Sequence, residues 1–343
     1  MKTILVGTGA IGGTVAVLAK ANGFDLHVVC RGEETAEKIK NDGLYLKGPR
    51  GEHKVKLHAY PDIESIDQHD YDICIIASKA YAMPEIAKAM LPHIKEDALV
   101  VSMQNGMCLE ILADIVGKER AVGCMIGFGA NLDTPTSLTM TSLGSFAIGM
   151  LPGYTSDKLE YIRKMLDCTV PCHISDMIQS EQYSKLIINS CITSLGALTG
   201  QTLGVMLDEK SARVLFLAIA REGIKVAKAM NLYVPPFNKV LNYNLLLLTD
   251  AKWFDLLCET LFRVIGKVKY KDDKSSSLQS LERGKPTEID YFNGYIVRKG
   301  KEFGVPTPVN EKMVQFIKEI ERKERKISMD NLKVFVDEGL IKI

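Results

Sequence analysis

The residues that most constrain the fold are three glycines near the start of the chain, spaced as Gly-x-Gly-x-x-Gly. Gly7, Gly9 and Gly12 lie between a short apolar run, Thr3–Val6, and an amphipathic segment that starts near Ala10. This pattern predicts a strand, a tight turn and a helix. In such a turn one glycine permits the turn itself, the second lets the backbone approach a pyrophosphate, and the third allows close helix–strand packing. Free N–H groups at the helix N-terminus would then meet the negative charge of the ligand.

The same residues also have features of a secretory signal. Lys2 precedes the apolar run, and Ala19-Lys20-Ala21 has the small residues of a cleavage site. However, a signal peptide has no use for three glycines at this spacing, and a second strand, Leu26–Cys30, follows at the distance expected in a dinucleotide-binding fold. We therefore predict a dinucleotide site whose first contacts come from consecutive residues: Gly7, Thr8, Gly9, Ala10, Ile11 and Gly12.

The residue at the end of the second strand bears on the choice between NAD and NADP. An acidic side chain there accepts hydrogen bonds from a ribose 2′-hydroxyl, but this chain has Arg31, in the stretch HVVCRGEE. A fixed guanidinium suits a 2′-phosphate better than a neutral diol. The alternative is an exposed arginine at the start of a loop, with Glu33 or Glu34 turned back to the ribose. We predict NADPH as the cofactor.

Composition and charge favour a globular protein of the cytoplasm. The 343 residues are enough for two domains with separate cores, and 46% are hydrophobic and 25% charged. The net charge of +1 gives no reason to expect nucleic acid or an anionic membrane as a partner. No apolar stretch reaches the roughly 18 residues that a membrane span needs.

The cysteines indicate reduced thiols. Eight of them are scattered along the chain, several inside apolar runs, unlike the framework of a small disulfide-bonded domain. Cys168 and Cys172 are four residues apart and His173 follows, but there is no second ligand pair. We favour simple packing over zinc binding at these residues and expect no metal.

Strands and helices alternate up to about residue 175. The further predicted strands are Asp72–Ala77, Ala98–Ser102, Ala121–Gly127 and Ser145–Gly149, with helices after Pro84 and near Asp157–Leu166. Such short continuous apolar runs are typical of parallel strands buried on both faces. The predicted fold class is α/β, with a Rossmann dinucleotide-binding domain over residues 1–175 and a helical substrate and catalytic domain over residues 176–343.

Two loops follow predicted strands at their carboxyl ends, where open α/β sheets bind ligands. One is Ser78-Lys79-Ala80-Tyr81, and the other is Gln104-Asn105-Gly106. Ordinary turn chemistry would also explain them, since Asn-Gly is a common turn dipeptide. Their position at strand ends favours Lys79 and Asn105 as site residues.

Helical spacing dominates after residue 175. The predicted helices are Ile178–Leu198, Ala212–Met230, Phe237–Leu248, Lys252–Val264, Glu288–Phe303 and Asn310–Lys323. The first carries a polar stripe, because Lys185, Asn189 and Thr193 recur every four residues among apolar neighbours and so project within one narrow arc. These side chains could simply face solvent or bond neighbouring helices. If the stripe is buried, a desolvated lysine has a lowered pKa and can act as a general acid.

A second polar cluster occurs in KSSSLQSLERGKPTEIDYFNGYIV. Ser276 lies just before a hydrophobic turn, and Glu288 is expected to open a helix, whose first turn favours acidic residues. Helix capping alone would explain Thr287 and Glu288.

Taken together, these motifs resemble those of the ketopantoate reductase family. The resemblance rests on the glycine motif, SKAY, QNG, the Lys185–Asn189 spacing and the block TEIDYFNG, and it runs from Gly7 to about Pro308. It implies a Rossmann domain followed by an all-α domain of the 6-phosphogluconate dehydrogenase-like type. It also implies NADPH-dependent reduction of the 2-keto group of ketopantoate to D-pantoate, on the route to pantothenate and coenzyme A.

The resemblance further implies roles for individual residues. Lys185 would give the proton to the ketone oxygen, and Glu288 would be the acidic partner that positions Lys185 or the substrate and contacts the cofactor. Asn105 and Ser276 would orient the substrate, Asn105 also contacting the cofactor, and Asn189 would contact the substrate's hydroxyl end. Arg31 and Lys79 match basic cofactor contacts.

Two departures from the family pattern leave the 2-keto acid open. Many members have a second asparagine where this chain has Thr193, and the serine pair is Ser276-Ser277, where the family pattern has a methionine after the serines. Three alternatives therefore stay open: a reductase of another 2-keto acid, an opine-type enzyme that reduces an imine, and a regulator that binds NADP without turnover. A small 2-keto acid is the expected partner, and a homodimer is left open.

Overall fold

The computed structural model describes residues 1–236 and 274–343. The chain divides into two compact units, Met1–Gln182 and Tyr183–Ile343. The domain boundary after residue 175 that the sequence suggests stays a prediction. The predicted helices at 237–248 and 252–264 lie outside the described residues.

The first unit contains all the described strands. They are β1 (Thr3–Val6), β2 (Leu26–Val29), β3 (Leu44–Lys47), β4 (His53–Val55), β5 (His58–Tyr60), β6 (Tyr71–Ile76), β7 (Ile94–Ser102), β8 (Ala121–Ile126), β9 (Gly129–Thr134), β10 (Ser137–Ser142), β11 (Phe146–Gly149) and β12 (Cys172–Ile174). Its helices are α1 (Ala10–Ala21), α2 (Glu33–Asn41), α3 (Met83–Met90), α4 (Leu109–Val116) and α5 (Lys158–Asp167).

Eight strands form the main sheet, in the order β12-β11-β8-β7-β6-β1-β2-β5. β1 is parallel to β2 on one side and to β6 on the other. β11 is antiparallel to β8, and β12 is parallel to β11, so these two strands run opposite to the other six of the sheet. The central strand β1 is buried on both faces, since the consecutive residues Ile4 and Leu5, whose side chains point to opposite faces, have no exposed surface. The chain moves outward from β1 in both directions, which places the switch point of the strand order between β1 and β6, where α/β sheets bind ligands.

A second sheet has the order β4-β3-β10-β9, and the sequence did not predict it. Its strands lack the continuous apolar runs of the main sheet, and the last four residues of β9 are exposed. This sheet packs on α1: a Cβ built on Gly13 would lie 2.8 Å from Cδ1 of Leu138. The glycine therefore permits the close approach of α1 to β10.

The described part of the second unit contains helices and no strands. Helix α6 (Ile178–Thr199) begins in the first unit. It is followed by α7 (Leu203–Asp208), α8 (Lys210–Ala229), α9 (Ser276–Glu282), α10 (Asn293–Glu302), α11 (Pro308–Glu321) and α12 (Asn331–Asp337). The predicted α/β half followed by a helical half is confirmed. Within residues 1–236 and 274–343, no helix combines the length and the apolarity required to cross a membrane.

Hydrogen bonds between buried polar groups fix α6 within the second unit. Tyr183 donates from its hydroxyl to the carbonyl oxygen of Gly223 on α8, at 2.8 Å. Asn293, at the start of α10, donates through Nδ2 to the carbonyl oxygen of Ser190, at 3.1 Å, and to Oδ1 of Asn310, at 2.9 Å. The face of α6 that packs against α8 and α10 is therefore anchored at Tyr183 and again at Ser190, two turns further along the helix.

Candidate active site

The glycine turn after β1 uses its three glycines in three different ways. Gly7 has φ of +108°, and its N–H donates to the carbonyl oxygen of Val29 at 2.9 Å. A Cβ on Gly12 would lie 2.1 Å from the carbonyl oxygen of Gly7, so only glycine fits there. A Cβ on Gly9 would meet nothing within 4 Å. Gly7 and Gly12 therefore shape the turn, whereas the space beside Gly9 is open to a ligand.

Helix α1 begins with unsatisfied backbone donors. Its N-cap residue, Gly9, offers no side-chain cap, and the first turn carries no acidic side chain. The first described hydrogen bond of the helix runs from the N–H of Gly13 to the carbonyl oxygen of Gly9, at 2.8 Å. The N–H groups of Ala10, Ile11 and Gly12 precede it and point out of the helix end. This arrangement fits a pyrophosphate, whose charge the helix N-terminus stabilises.

At the end of β2, the cationic side chain is available to a ligand, whereas one of the two nearby carboxylates is already in an ion pair. Arg31 is exposed and forms no ion pair with any described residue. Glu33 and Glu34 are exposed in the first turn of α2, and Glu34 forms an ion pair of 2.7 Å with Lys38.

The loops after β6 and β7 are tied together by Gln104, which the sequence analysis did not identify as a site residue. Its Nε2 donates to the carbonyl oxygens of Ile76, at 2.7 Å, and Ser78, at 3.2 Å. Its Oε1 accepts from the hydroxyl of Ser102 at 2.6 Å. The glutamine is nearly fully buried. Its sequence signals were its position two residues after a strand and its place in the QNG motif.

Beside this clamp, Asn105 presents an atom without a partner. Its Oδ1 is buried and accepts no hydrogen bond within the described residues. Because a buried amide oxygen without a donor is unfavourable, its presence at a strand end indicates a ligand position. Lys79 is exposed at the end of β6, at the start of a short 3-10 turn, Ala80–Ala82.

On α6, the predicted stripe is present and unevenly exposed. Lys185 and Asn189 are half-buried, while Thr193 is buried. The hydroxyl of Thr193 donates to the carbonyl oxygen of Asn189 at 2.7 Å. The amide of Asn189 forms no side-chain hydrogen bond in the part of the chain that the structure describes. Asn189 is thus available to a ligand as donor and acceptor, whereas Thr193 can only accept.

The serine cluster reaches α6 through Ser275 rather than Ser276. Ser275 caps α9, accepting from the N–H of Leu278 at 3.2 Å, and its hydroxyl donates to the carbonyl oxygen of Thr193 at 3.3 Å. A Cβ on Gly196 would overlap this serine, at 2.3 Å from its Oγ, so the glycine makes room for it. Ser276 is exposed on the first turn of α9.

Glu288 is buried, 5% exposed, but it does not open an α-helix as predicted. It is the N-cap residue of a 3-10 turn, Ile289–Tyr291, but its side chain does not accept from the N–H groups of that turn. The α-helix starts only at Asn293, because Phe292 has non-helical angles of φ −110° and ψ −97°. Thr287 is held from outside this turn: its N–H and hydroxyl donate to Oε1 of Glu321, at 2.8 and 2.6 Å.

The structure thus groups the predicted residues within each unit. In the first unit the glycine turn, Lys79 and Asn105 lie at the carboxyl ends of the neighbouring strands β1, β6 and β7. In the second unit the polar face of α6 is joined to the serine cluster by the bond from Ser275 to Thr193.

The cysteines among the described residues show no sign of metal-binding or nucleophilic chemistry. Cys168 and Cys172 are free thiols, and burial raises the pKa of Cys172 to about 12. Burial likewise raises the pKa of Cys74 to about 12. Thiols that resist ionisation are poor nucleophiles and poor metal ligands. Among residues 1–236 and 274–343, no group of three or more His, Cys, Asp or Glu side chains could hold a metal ion.

The strand order, its switch point and the glycine turn define the first unit as a Rossmann-type α/β domain. Residues 3–153 match the family model described as ketopantoate reductase PanE/ApbA, and residues 177–321 match the model of its C-terminal part. The chain belongs to the ketopantoate reductase family, as its motifs predicted.

One curated relative and two solved structures illustrate what the chain is similar to, the structures in fold alone. The 2-dehydropantoate 2-reductase of Archaeoglobus fulgidus is 28% identical over 321 residues, which cover 92% of this chain and 97% of that protein. The crystal structure of a PanE/ApbA family ketopantoate reductase from Ralstonia eutropha JMP134 has a TM-score of 0.79 at 24% identity, covering 95% of this chain and 100% of that chain. The ternary structure of D-mandelate dehydrogenase with NADH and anilino(oxo)acetate has a TM-score of 0.78 at 22% identity, covering 94% and 99%.

Proposed function

We propose that this protein is an oxidoreductase that reduces the 2-keto group of 2-dehydropantoate (ketopantoate) to the alcohol of D-pantoate. NADPH is the proposed reductant, and the reaction belongs to the route to pantothenate and coenzyme A. Membership of both halves of the chain in the ketopantoate reductase family supports the proposal, as do relatives that bear the name 2-dehydropantoate 2-reductase.

The polar face of α6 is the observation that carries the proposal. Leu186 and Ile187 are fully buried, yet Lys185 and Asn189 on the same helix keep part of their surface exposed. Side chains of these types, anchored on a helix that buried hydrogen bonds hold in place, suit proton donation and substrate orientation.

The proposed chemistry divides the work among named side chains. When bound, the reduced nicotinamide supplies a hydride for the keto carbon. Lys185 donates a proton to the keto oxygen as negative charge grows there. Glu288 positions the ammonium of Lys185 or the substrate and contacts the cofactor. Asn105 and Ser276 orient the keto acid.

At the other end of the substrate, Asn189 is the proposed donor and acceptor for the hydroxyl group. Thr193 lies one turn further along α6 and can only accept, because its proton is given to the carbonyl oxygen of Asn189. The same bond is the one observation that favours the second candidate, a reductase of another 2-keto acid. A substrate without a hydroxyl would not need the second amide that many family members have.

The glycine turn is the proposed cradle of the cofactor's pyrophosphate, through the N–H groups at the start of α1. Arg31 is the proposed partner of the 2′-phosphate, which distinguishes NADPH from NADH. Two observations support this role: Arg31 is exposed without an ion pair among the described residues, and Glu34 is paired with Lys38. Lys79 is the second proposed basic contact of the cofactor.

We place the reaction in the cytoplasm, where buried free thiols such as Cys74 and Cys191 stay reduced. Assembly into a homodimer stays a prediction.

The test is the loss of NADPH absorbance in the presence of a panel of 2-keto acids. The expected result is the highest kcat/KM for ketopantoate, with lower values for 2-keto acids of similar size that lack the hydroxyl. If a hydroxyl-free acid is preferred, the second candidate is correct. If no acid in the panel oxidises NADPH while the folded protein still binds it, the regulator is the better description.

A further inference from the structure

A buried glutamine of the first unit has both of its side-chain polar atoms without partners. Gln182 is 4% exposed, and neither its Nε2 nor its Oε1 forms a hydrogen bond within the described residues. Most buried amides are hydrogen-bonded, because an unpaired buried donor or acceptor loses its water without compensation. Here a donor and an acceptor on the same side chain are both buried without a partner among the described residues.

The amide of Gln182 packs beside Gly123 on β8. A Cβ built on Gly123 would lie 3.1 Å from Nε2 and 3.2 Å from Oε1 of the glutamine. A Cβ at position 123 would therefore crowd the amide and require it to shift by a few tenths of an ångström. Gln179, one turn earlier on α6, is paired by contrast, since its Nε2 donates to Oε1 of Glu110 at 3.0 Å. Gln182 is held in place by its surroundings although its own polar atoms are unpaired.

This position is level with the carboxyl end of the neighbouring strand β7, although β8 itself continues to Ile126. Gly123 pairs with Ser102, the last residue of β7, and Asn105 follows in the loop beyond. β8 is three strands away from β1, which is about 14 Å at a strand spacing of about 4.8 Å. From a pyrophosphate at the glycine turn, a ribose and a pyridine ring extend over a distance of this order. The other half of a dinucleotide would lie on the opposite side, towards β2 and Arg31.

The chemistry of the open groups selects the ligand. An amide with a free carbonyl oxygen and a free NH₂ group is complementary to another primary carboxamide, which offers the same two groups in reverse. A carboxylate or a phosphate would accept from the NH₂ group, but it has no donor for the amide oxygen and would be repelled by it.

We propose that Gln182 binds the carboxamide of the nicotinamide ring, a role that rests on the proposed function. Its Oε1 accepts from the carboxamide N–H, and its Nε2 donates to the carboxamide oxygen. The ring is thereby fixed in rotation, so that one face is turned towards the substrate. The sequence spacing is consistent with this role: Gln182 lies three residues before Lys185 and extends the polar stripe of α6 by one turn.

The test compares two ligands on three proteins. The ligands are NADPH and its 3-acetylpyridine analogue, in which a methyl group replaces the carboxamide nitrogen, so that only the N–H donor is lost. The proteins are the wild type, Gln182→Leu and the control Gln179→Leu, one turn earlier on the same helix. Dissociation constants are measured by calorimetry, and thermal midpoints are measured without ligand.

We expect the wild type and Gln179→Leu to bind NADPH about tenfold more tightly than the analogue, the size of one hydrogen bond. In Gln182→Leu the ratio should fall to about one, while the thermal midpoint is unchanged or higher, because an unpaired buried amide has been removed. A second variant, Gln182→Met, should give the same ratio and replaces the leucine variant in the test if that variant does not fold.

Two results would overturn the inference alone: a folded Gln182 variant that keeps the wild-type ratio, or a loss of thermal stability with the ratio intact, which would reveal a structural role. A wild-type protein that binds neither ligand would instead overturn the proposed function, and the inference with it.

Discussion

The hydroxyl of Thr193 donates a hydrogen bond of 2.7 Å to the carbonyl oxygen of Asn189, one turn earlier on α6. A threonine has a single hydroxyl proton, so only the lone pairs of Oγ1 remain for a ligand. An asparagine at this position would offer two N–H donors and an acceptor. The far end of the polar stripe can therefore accept a hydrogen bond from a substrate but cannot give one.

Replacing Thr193 by asparagine should change substrate preference and leave the chemical step intact. We expect Thr193→Asn to shift the ratio of kcat/KM between ketopantoate and a hydroxyl-free 2-keto acid several-fold, or about 1 kcal/mol for one hydrogen bond. Thr199→Val is the control, because it removes a similar bond, from Thr199 to the carbonyl oxygen of Leu195, on the same helix. An equal fall in kcat for every substrate, with the ratio unchanged, would place Thr193 in the chemistry or the packing.

Two glycines of the same turn should respond to alanine in opposite ways. Gly9 has φ of −70° and open space around its Cβ position, so Gly9→Ala should fold with wild-type stability and bind NADPH at least about tenfold more weakly. Gly12→Ala should lose about 1–3 kcal/mol or more of unfolding free energy, because its Cβ would overlap the backbone of Gly7. Calorimetry and denaturant unfolding measure the two effects. Tight NADPH binding by Gly9→Ala would remove the cradle from this turn.

Arg31 should decide the cofactor. Arg31→Ala should weaken NADPH binding about ten- to a hundredfold and hardly change NADH binding, since only NADPH has a phosphate to lose. Lys38→Ala, which removes an exposed cation from the adjacent helix, is the matched control. Equal losses for both cofactors in the Arg31 variant would contradict the NADPH assignment.

The buried carboxyl of Glu222 should make the unfolding free energy of the second unit depend measurably on pH. It accepts from the N–H groups of Val309 and Asn310, both at 2.9 Å, and from Nδ2 of Asn310 at 2.7 Å. Burial, the largest effect, raises its pKa above the usual 4.5. The protonated form is therefore favoured by folding, and its stabilisation is complete below pH 4.5 and lost as the pH rises through the folded-state pKa.

The difference in unfolding free energy between the wild type and Glu222→Gln isolates this contribution. The glutamine variant should be less stable, by about 1–3 kcal/mol near pH 4, because its NH₂ group faces an N–H donor. The difference should shrink towards pH 7. A difference that grows with pH would mean that the hydrogen bonds outweigh burial and that the carboxylate is the favoured form.

The main sheet and the glycine turn could be predicted from the sequence because both depend on local residue patterns. Buried parallel strands such as β6 are continuous apolar runs, and Gly7 and Gly12 are required by the backbone itself. The second sheet could not be predicted in this way, because β9 is largely exposed and has no continuous apolar run. Its strand conformation depends on the backbone pairing with β10.

Within the candidate site, residue types could be read from the sequence but hydrogen-bond partners could not. The spacing placed Lys185, Asn189 and Thr193 on one face of α6, yet only the structure shows that the Thr193 proton is already used. The sequence placed Gln104 in a candidate loop and gave Gln182 no special role, but burial and pairing of both depend on distant parts of the chain and could not be predicted. Likewise, nothing local revealed that the chain bends at Phe292 before α10 begins.

Turnover of Lys185 variants tests the central claim, that this lysine is the proton donor of a ketopantoate reductase. In single-turnover reactions with saturating NADPH and ketopantoate, Lys185→Ala should react about 10²–10⁴-fold more slowly than the wild type while binding NADPH with unchanged affinity. Lys185→Arg should be similarly slow, because a guanidinium keeps the charge but does not release its proton. Lys225→Ala, an exposed position on α8, should react like the wild type. A Lys185→Ala protein that reduces ketopantoate at a near wild-type rate would contradict the account.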